Sequence, residues 1–226
     1  MGNYNYTDEL RHYGVKGMKW GVRRTPEQLG RRTRTDEFVL RKGTKLHRLS
    51  TVDNETHDGH AFATFKPSDT RRYLRRSLFF RQKSFDMTMK ATKDLVSPSQ
   101  KQRVDEFIKL CSDDPDFIHD LAKGTSKWMT FSDPKKLEEQ YRKMTEAEMR
   151  TRGYNNFSTT LAVDKTTRNK YFQRLSEKGY NMIIDDADAQ LLSDSPVIIF
   201  DRADTLEVTS VNPVTRDYFR KLKDTR

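Results

Sequence analysis

The sequence predicts an α+β fold, and three observations predict it. Segments of β-type residues lie at both ends of the body, around 37–65 and 180–211. Between them, Ser97-Pro98, Asp114-Pro115 and Asp133-Pro134 each open a stretch with helical spacing of apolar residues, and Pro in the first turn behind Ser or Asp is a helix-start signal. The run Pro196 to Phe200 is almost continuously apolar, which marks a strand covered on both faces. Strands at the two ends with helices between them place the early and late strands in one sheet.

The elements follow in order. Residues 1–36 form a flexible basic arm, because Gly14, Gly17, Gly21 and Gly30 interrupt any period. The body is 37–226. Phe38, Val39 and Leu40 begin a strand, Lys42-Gly43-Thr44 breaks it, and Leu46 and Leu49 continue it. Residues 51–59 are a polar loop, and His60 to Phe65 alternates as a short strand. Ser68-Asp69 caps a helix over about 69–83, with Tyr73, Leu74 and Phe80 inward and Arg71, Arg72, Arg75 and Arg76 on one cationic face. A helical insertion covers about 95–150: Val104, Phe107, Ile108 and Cys111 line the first helix, Phe117, Ile118 and Leu121 the second, Leu137, Tyr141 and Met144 the third. A further helix at about 165–178 packs Tyr171, Phe172 and Leu175 and ends at Gly179. Tyr180–Ile184, Pro196–Phe200 and Leu206–Val211 are the late strands.

Composition narrows the function classes. The chain has 226 residues, 34% hydrophobic and 34% charged, so its core is small for its length; 11% aromatic content still argues against wholesale disorder. No apolar run reaches the ~18 residues of a membrane span, no apolar h-region follows the start, and Tyr6 breaks the myristoylation pattern, so no membrane partner is expected. The single cysteine, Cys111, excludes a disulfide framework and fits a reducing compartment. Net charge is +10, concentrated in two segments: residues 1–34 carry +5 and residues 66–103 carry +8, leaving the rest slightly acidic. That balance favours acidic partners such as nucleotides or DNA, with Arg71, Arg72, Arg75 and Arg76 as the candidate DNA contacts.

Several chemistries have no motif here. The phosphate loop G-x-x-x-x-G-K-[ST], the dinucleotide G-x-G-x-x-G, the elbow G-x-S-x-G and H-E-x-x-H are all missing. His57 and His60 lack further ligands, and Asp185-Asp186-Ala187-Asp188 lacks the glycine and terminal glutamate of a calcium loop, so no metal is expected.

Two resemblances supply the rest. The run His12-Tyr13-Gly14-Val15-Lys16-Gly17-Met18-Lys19-Trp20-Gly21-Val22-Arg23-Arg24 resembles a short signature of phage- and prophage-encoded proteins, many of them head-associated. It implies a virion or host-cytoplasmic location and capsid or portal partners docked through residues 12–24. The body resembles the ADP-ribosyltransferase fold, a split β-sheet with a helical insertion. The likeness rests on Lys45-Leu46-His47-Arg48, on His60-Ala61-Phe62-Ala63-Thr64-Phe65 with Asp69 and Tyr73, on Gly179-Tyr180 to Asp185, and on Asp194-Ser195-Pro196 to Phe200 with Leu206-Glu207-Val208.

This second resemblance implies an NAD-dependent mono-ADP-ribosyltransferase-like protein acting on a host protein. Arg48 would hold a phosphate or ribose oxygen of NAD through its planar fork. Thr64 would fix the nicotinamide ribose or the acid, and Phe62, Phe65 or Tyr73 would stack on the nicotinamide. Where the family has Glu, the chain offers Asp194, one methylene shorter, as the carboxylate that stabilises the cationic transition state. Phe157-Ser158-Thr159-Thr160 is a second candidate for the Ser/Thr element. The alternative is a catalytically inactive virion or head-associated protein that binds capsid components and DNA with the same fold.

Overall fold

A computed structural model describes residues 31–32, 37–51, 59–67, 83–128, 132–161, 164–184 and 197–224. The break at Lys42-Gly43 divides the first body segment into β2 (Phe38–Leu40) and β3 (Lys45–Ser50), with the two-residue β1 (Arg31–Arg32) beside β2. The alternating run after the loop is β4 (Ala61–Ala63). Two strands lie where the sequence pattern predicts none, β5 (Phe85–Ala91) and β6 (Leu95–Ser97). β5 does alternate, with Phe85, Met87, Met89 and Ala91 buried on one face and Asp86, Thr88 and the exposed Lys90 on the other, a period the expected 69–83 helix and the charged residues around it obscure. β6 has only three residues, too few to show any period.

Helices occupy 100–176. Ser99 caps α1 (Gln100–Asp113) with a reciprocal box, its hydroxyl accepting from the Gln102 amide while Gln102 accepts from the Ser99 amide. α2 (Phe117–Trp128) follows, and Asp133 caps α3 (Pro134–Lys143). A short helical turn and one widened π turn, Met149–Gly153, lead into α4 (Tyr154–Thr160). Asp164 caps α5 (Lys165–Ser176). Gly179 then takes a φ of +87°, the left-handed turn that lets the chain leave the helix for β7 (Met182–Ile184). β8 (Val197–Ile199), β9 (Leu206–Pro213) and a terminal helix α6 (Arg216–Asp224), not foreseen from the sequence, complete the body.

The strands form three antiparallel sheets, β1-β2-β6, β7-β8-β4 and β3-β5-β9. Two links join them. Asn181, just before β7, donates its amide to the Val96 carbonyl at 3.2 Å while its side-chain oxygen accepts from the Val96 amide at 2.6 Å. At the other seam His47 and Thr64 exchange both backbone bonds at 2.8 Å, joining β3 to β4. The expectation that early and late strands share a sheet therefore holds: β4 lies against β8, and β5 against β9.

Two cores result, and β8 serves both. Val197 and Ile199 pack with Leu40, Leu46, Ala61, Ala63, Met89 and Leu95 among the strands. Ile198, pointing the other way, packs with Phe107, Phe117, Phe157, Tyr171 and Phe172 of the helices. That is the physical meaning of the continuous apolar run. The fold is α+β. The helix expected at about 69–83 lies outside the described residues except for Lys83, which is not helical.

Candidate functional site

The seam between β3 and β4 is where the sequence places its binding residues. Alternation along β3 sets His47 on one face and Leu46 and Arg48 on the other; Leu46 lies opposite Met89 and Arg48 opposite Met87. Thr64 is the direct partner of His47 and shares its face, so Arg48 and Thr64 leave the seam on opposite sides. Thr64 is only 4% exposed, and its hydroxyl is directed at main-chain carbonyls, Lys66 at 3.0 Å and His47 at 3.4 Å. It locks the bend after β4.

Phe62 packs on the helical core and Phe65 on the strand core, so the two rings lie on different faces. The second Ser/Thr candidate is helical. Ser158, Thr159 and Thr160 donate to the carbonyls of Asn155, Asn156 and Phe157 at 3.0, 2.7 and 2.7 Å. Asp194, Tyr73, Arg71, Arg72, Arg75, Arg76 and the run 12–24 lie outside the described residues.

A different group of residues gathers around His60, at the entrance to β4. Its ring meets Phe62 edge-on with centroids 5.4 Å apart and lies 6.5 Å from Phe172, which stacks on Phe200 at 4.3 Å. Burial, then the positive charges of Arg168, Arg48 and Lys165, push the His60 pKa down to about 4, so the ring is neutral at pH 7. Arg168, in the first turn of α5, is 6% exposed. It donates from Nη1 to the Leu161 carbonyl at 2.9 Å, and its Nε–H is buried with no acceptor among the described residues. Burial also lowers the Arg168 pKa against the opposing pull of Asp164.

Asp164 is already heavily engaged. It accepts from the Thr167 amide at 3.0 Å, the Thr167 hydroxyl at 2.8 Å and Lys127 Nζ at 2.7 Å. A buried guanidinium with a donor unused among the described residues is a candidate contact for an anion.

Residues 3–27 match the model of a family of unknown function, DUF7211. No curated protein and no solved structure matches the chain. The family match falls within the arm and overlaps the run that resembles a phage signature.

A second polar cluster sits on the opposite side of the β3-β5-β9 sheet from Leu46. His47 Nδ1 lies 3.6 Å from Asp86 Oδ1, and Tyr218 of α6 donates its hydroxyl hydrogen to Asp86 Oδ2. Burial and the Asp86 carboxylate push the Tyr218 pKa up. Among the described residues no group of three or more His, Cys, Asp or Glu is placed to hold a metal, and no helix is long and apolar enough to cross a membrane.

Sequence reasoning missed Arg168, and a signal was available. Arg168, Tyr171, Phe172 and Leu175 are spaced i, i+3, i+4 and i+7, so an arginine occupies a position of the buried helical stripe. A charge there needs a partner, which makes it a candidate binding residue.

Proposed function

We propose that the chain is a phage-encoded protein of the mono-ADP-ribosyltransferase type, associated with the virion or the host cytoplasm, whose body binds NAD and acts on a host protein. The observation that carries the reading is the seam at His47 and Thr64. There a strand from the start of the body meets one that is paired on its other edge with β8 from the end, the strand order a split sheet requires. Arg48 stands next to that seam, and its charge acts on His60 together with those of Arg168 and Lys165. A planar guanidinium beside a sheet seam suits a phosphate or ribose oxygen of a pyrophosphate-linked ligand.

In this reading Arg48 holds a phosphate or ribose oxygen, and Asp194 supplies the carboxylate that stabilises the ribosyl cation as the bond to nicotinamide breaks and the acceptor's nucleophile replaces it. Thr64 serves the fold, holding the bend that follows β4. The test is NAD binding and nicotinamide release, with labelling of host lysate, compared with Arg48→Ala. Saturable binding lost in the variant supports the reading; no binding at millimolar NAD overturns it.

A second reading is favoured by the engagement of Thr64, Phe62 and Phe65 in the fold itself. It is a catalytically inactive head-associated protein that docks on capsid or portal through residues 12–24 and meets DNA through Arg71, Arg72, Arg75 and Arg76. DNA affinity falling steeply with salt, about 0.9 in log–log slope for each phosphate neutralised, is its signature.

A further inference from the structure

We propose that β9 is the seat of a two-fold dimer, in which the strand pairs antiparallel with β9 of a second copy of the chain.

β9 is the outermost strand of the β3-β5-β9 sheet. One of its edges is paired with β5, and among the described residues no strand pairs with the other. Every residue from Glu207 to Pro213 is exposed or half-buried. Val208, 37% exposed, is the large hydrophobic residue left in solvent among the described residues. Sheet edges are normally blunted by charge, lysine above all. Here Glu207 is the only charged residue of the strand, and Val208, Thr209 and Val211 are β-branched residues that favour pairing.

The order of the residues selects a second copy as the occupant. From Leu206 to Pro213 the strand read backwards repeats its own chemistry: glutamate falls on asparagine, valine on valine and threonine on serine. A two-fold interface demands such self-complementarity, because every contact of one residue with another is made twice. In a regular strand, residues three apart point to opposite faces. The bulge corrects this. Thr209 is the extra residue between the pairs Thr88–Ser210 and Met89–Val208, so Val208 and Val211 both share the face of Met87 and Met89, while Glu207 and Asn212 share that of Lys90 and Asp86. An axis between Thr209 and Ser210 then sets Val208 against Val211 of the second copy on one face and Glu207 against Asn212 of the second copy on the other. No like charges meet, Pro213 falls at the end of the paired run, and two three-stranded sheets become one of six strands.

Interfaces below about 1,200 Å² are weak or transient, and a single eight-residue strand pair belongs to that class, so dissociation is expected in the micromolar range.

The experiment is sedimentation of the full chain from low micromolar to submillimolar concentration, with hydrogen exchange followed at the β9 amides that do not bond β5. A monomer–dimer equilibrium is expected, with exchange at those amides slowing as the dimer forms. Asn212 tests the register. Asn212→Lys puts a cation opposite Glu207 of the second copy, twice, and is expected to tighten the dimer by about threefold or more; Asn212→Glu opposes like charges and is expected to weaken it as much. The chain carries a net charge of +10, so general repulsion between copies predicts the reverse order. Urea midpoints confirm that both variants are folded. A chain that stays monomeric at submillimolar concentration overturns the proposal. So does a dimer in which Asn212→Lys is not tighter than Asn212→Glu, or one that leaves the outward β9 amides exchanging as in the monomer. Protection of those amides in a monomer overturns it too, because the edge is then covered by the chain itself.

Discussion

Tyr218 of the terminal helix donates its hydroxyl hydrogen to Asp86 in the middle strand of the β3-β5-β9 sheet. Asp86 is buried, and its other oxygen faces His47 at 3.6 Å, so the tyrosine is its principal hydrogen-bond donor among the described residues. Tyr218→Phe removes that donor and leaves a buried acceptor short of a partner. The expected loss is about 1–3 kcal/mol, read as a lower urea midpoint with unchanged slope. An unchanged midpoint would mean that α6 does not hold the sheet.

Gly124 of α2 lies against the cap of α5. A Cβ built on it would stand 2.9 Å from the Asp164 Cβ, closer than real contacts allow. Gly124→Ala must therefore separate α2 from Asp164, stretching the 2.7 Å Lys127–Asp164 pair and disturbing the cap. Overpacking of this kind costs about 1–3 kcal/mol, against the stabilisation that Gly→Ala brings in an open helix. Thermal melting tells the two outcomes apart by sign.

Glu106 sets an acid limit on the fold. Burial alone would raise its pKa, but hydrogen bonds from Lys178, Lys109 and Arg174, at 2.9, 3.1 and 3.0 Å, hold it down to about 2. A carboxylate lowered on folding stabilises above its unfolded pKa of about 4.5, and that contribution drains away as pH falls toward 2. Glu106→Gln is expected to be less stable at pH 7 and to show a flatter loss of stability between pH 4.5 and 2. Denaturant midpoints across that range measure it.

His60 acts in a neighbouring window. Its folded pKa near 4 lies below the free value of 6.5, so the unfolded chain takes up the proton first, and stability falls as pH drops from about 6.5 to 4. His60→Gln is expected to remove that slope while leaving the Glu106 window in place. NMR titration of the wild-type ring is expected to give a midpoint near 4 without ligand; a midpoint near 6.5 would contradict both the slope and the cationic surroundings.

The helical half was legible because its boundary chemistry is local. Asp133 caps its helix as read, whereas the helices expected from Ser97-Pro98 and Asp114-Pro115 begin two to three residues later, at Gln100 behind Ser99 and at Phe117; Phe107, Phe117 and Tyr171 face inward as their spacing requires. Strand β5 was legible in principle, since Phe85, Met87, Met89 and Ala91 alternate with Asp86, Thr88 and Lys90, but two methionines and an alanine carry little β preference, and Asp86 there reads as a surface residue. The site was half legible. Arg48 and the β4 run could be named from the sequence, but the direction of a hydroxyl could not, and Thr64 spends its own on the main chain. Arg168 shows the reverse case, a residue whose meaning lies in what its buried nitrogen lacks.

The pairing of β4 with β8 and of β5 with β9 has a consequence for biosynthesis. A ribosome releases β4 and β5 long before their late partners β8 and β9 exist, and the helices, whose contacts are local, can collapse first. Until Val197 to Pro213 leave the exit tunnel, early strands with open edges must be kept from pairing with other chains. Assembly of these sheets must therefore wait for the late strands, and truncation before β9 leaves the β5 edge open and prone to aggregate.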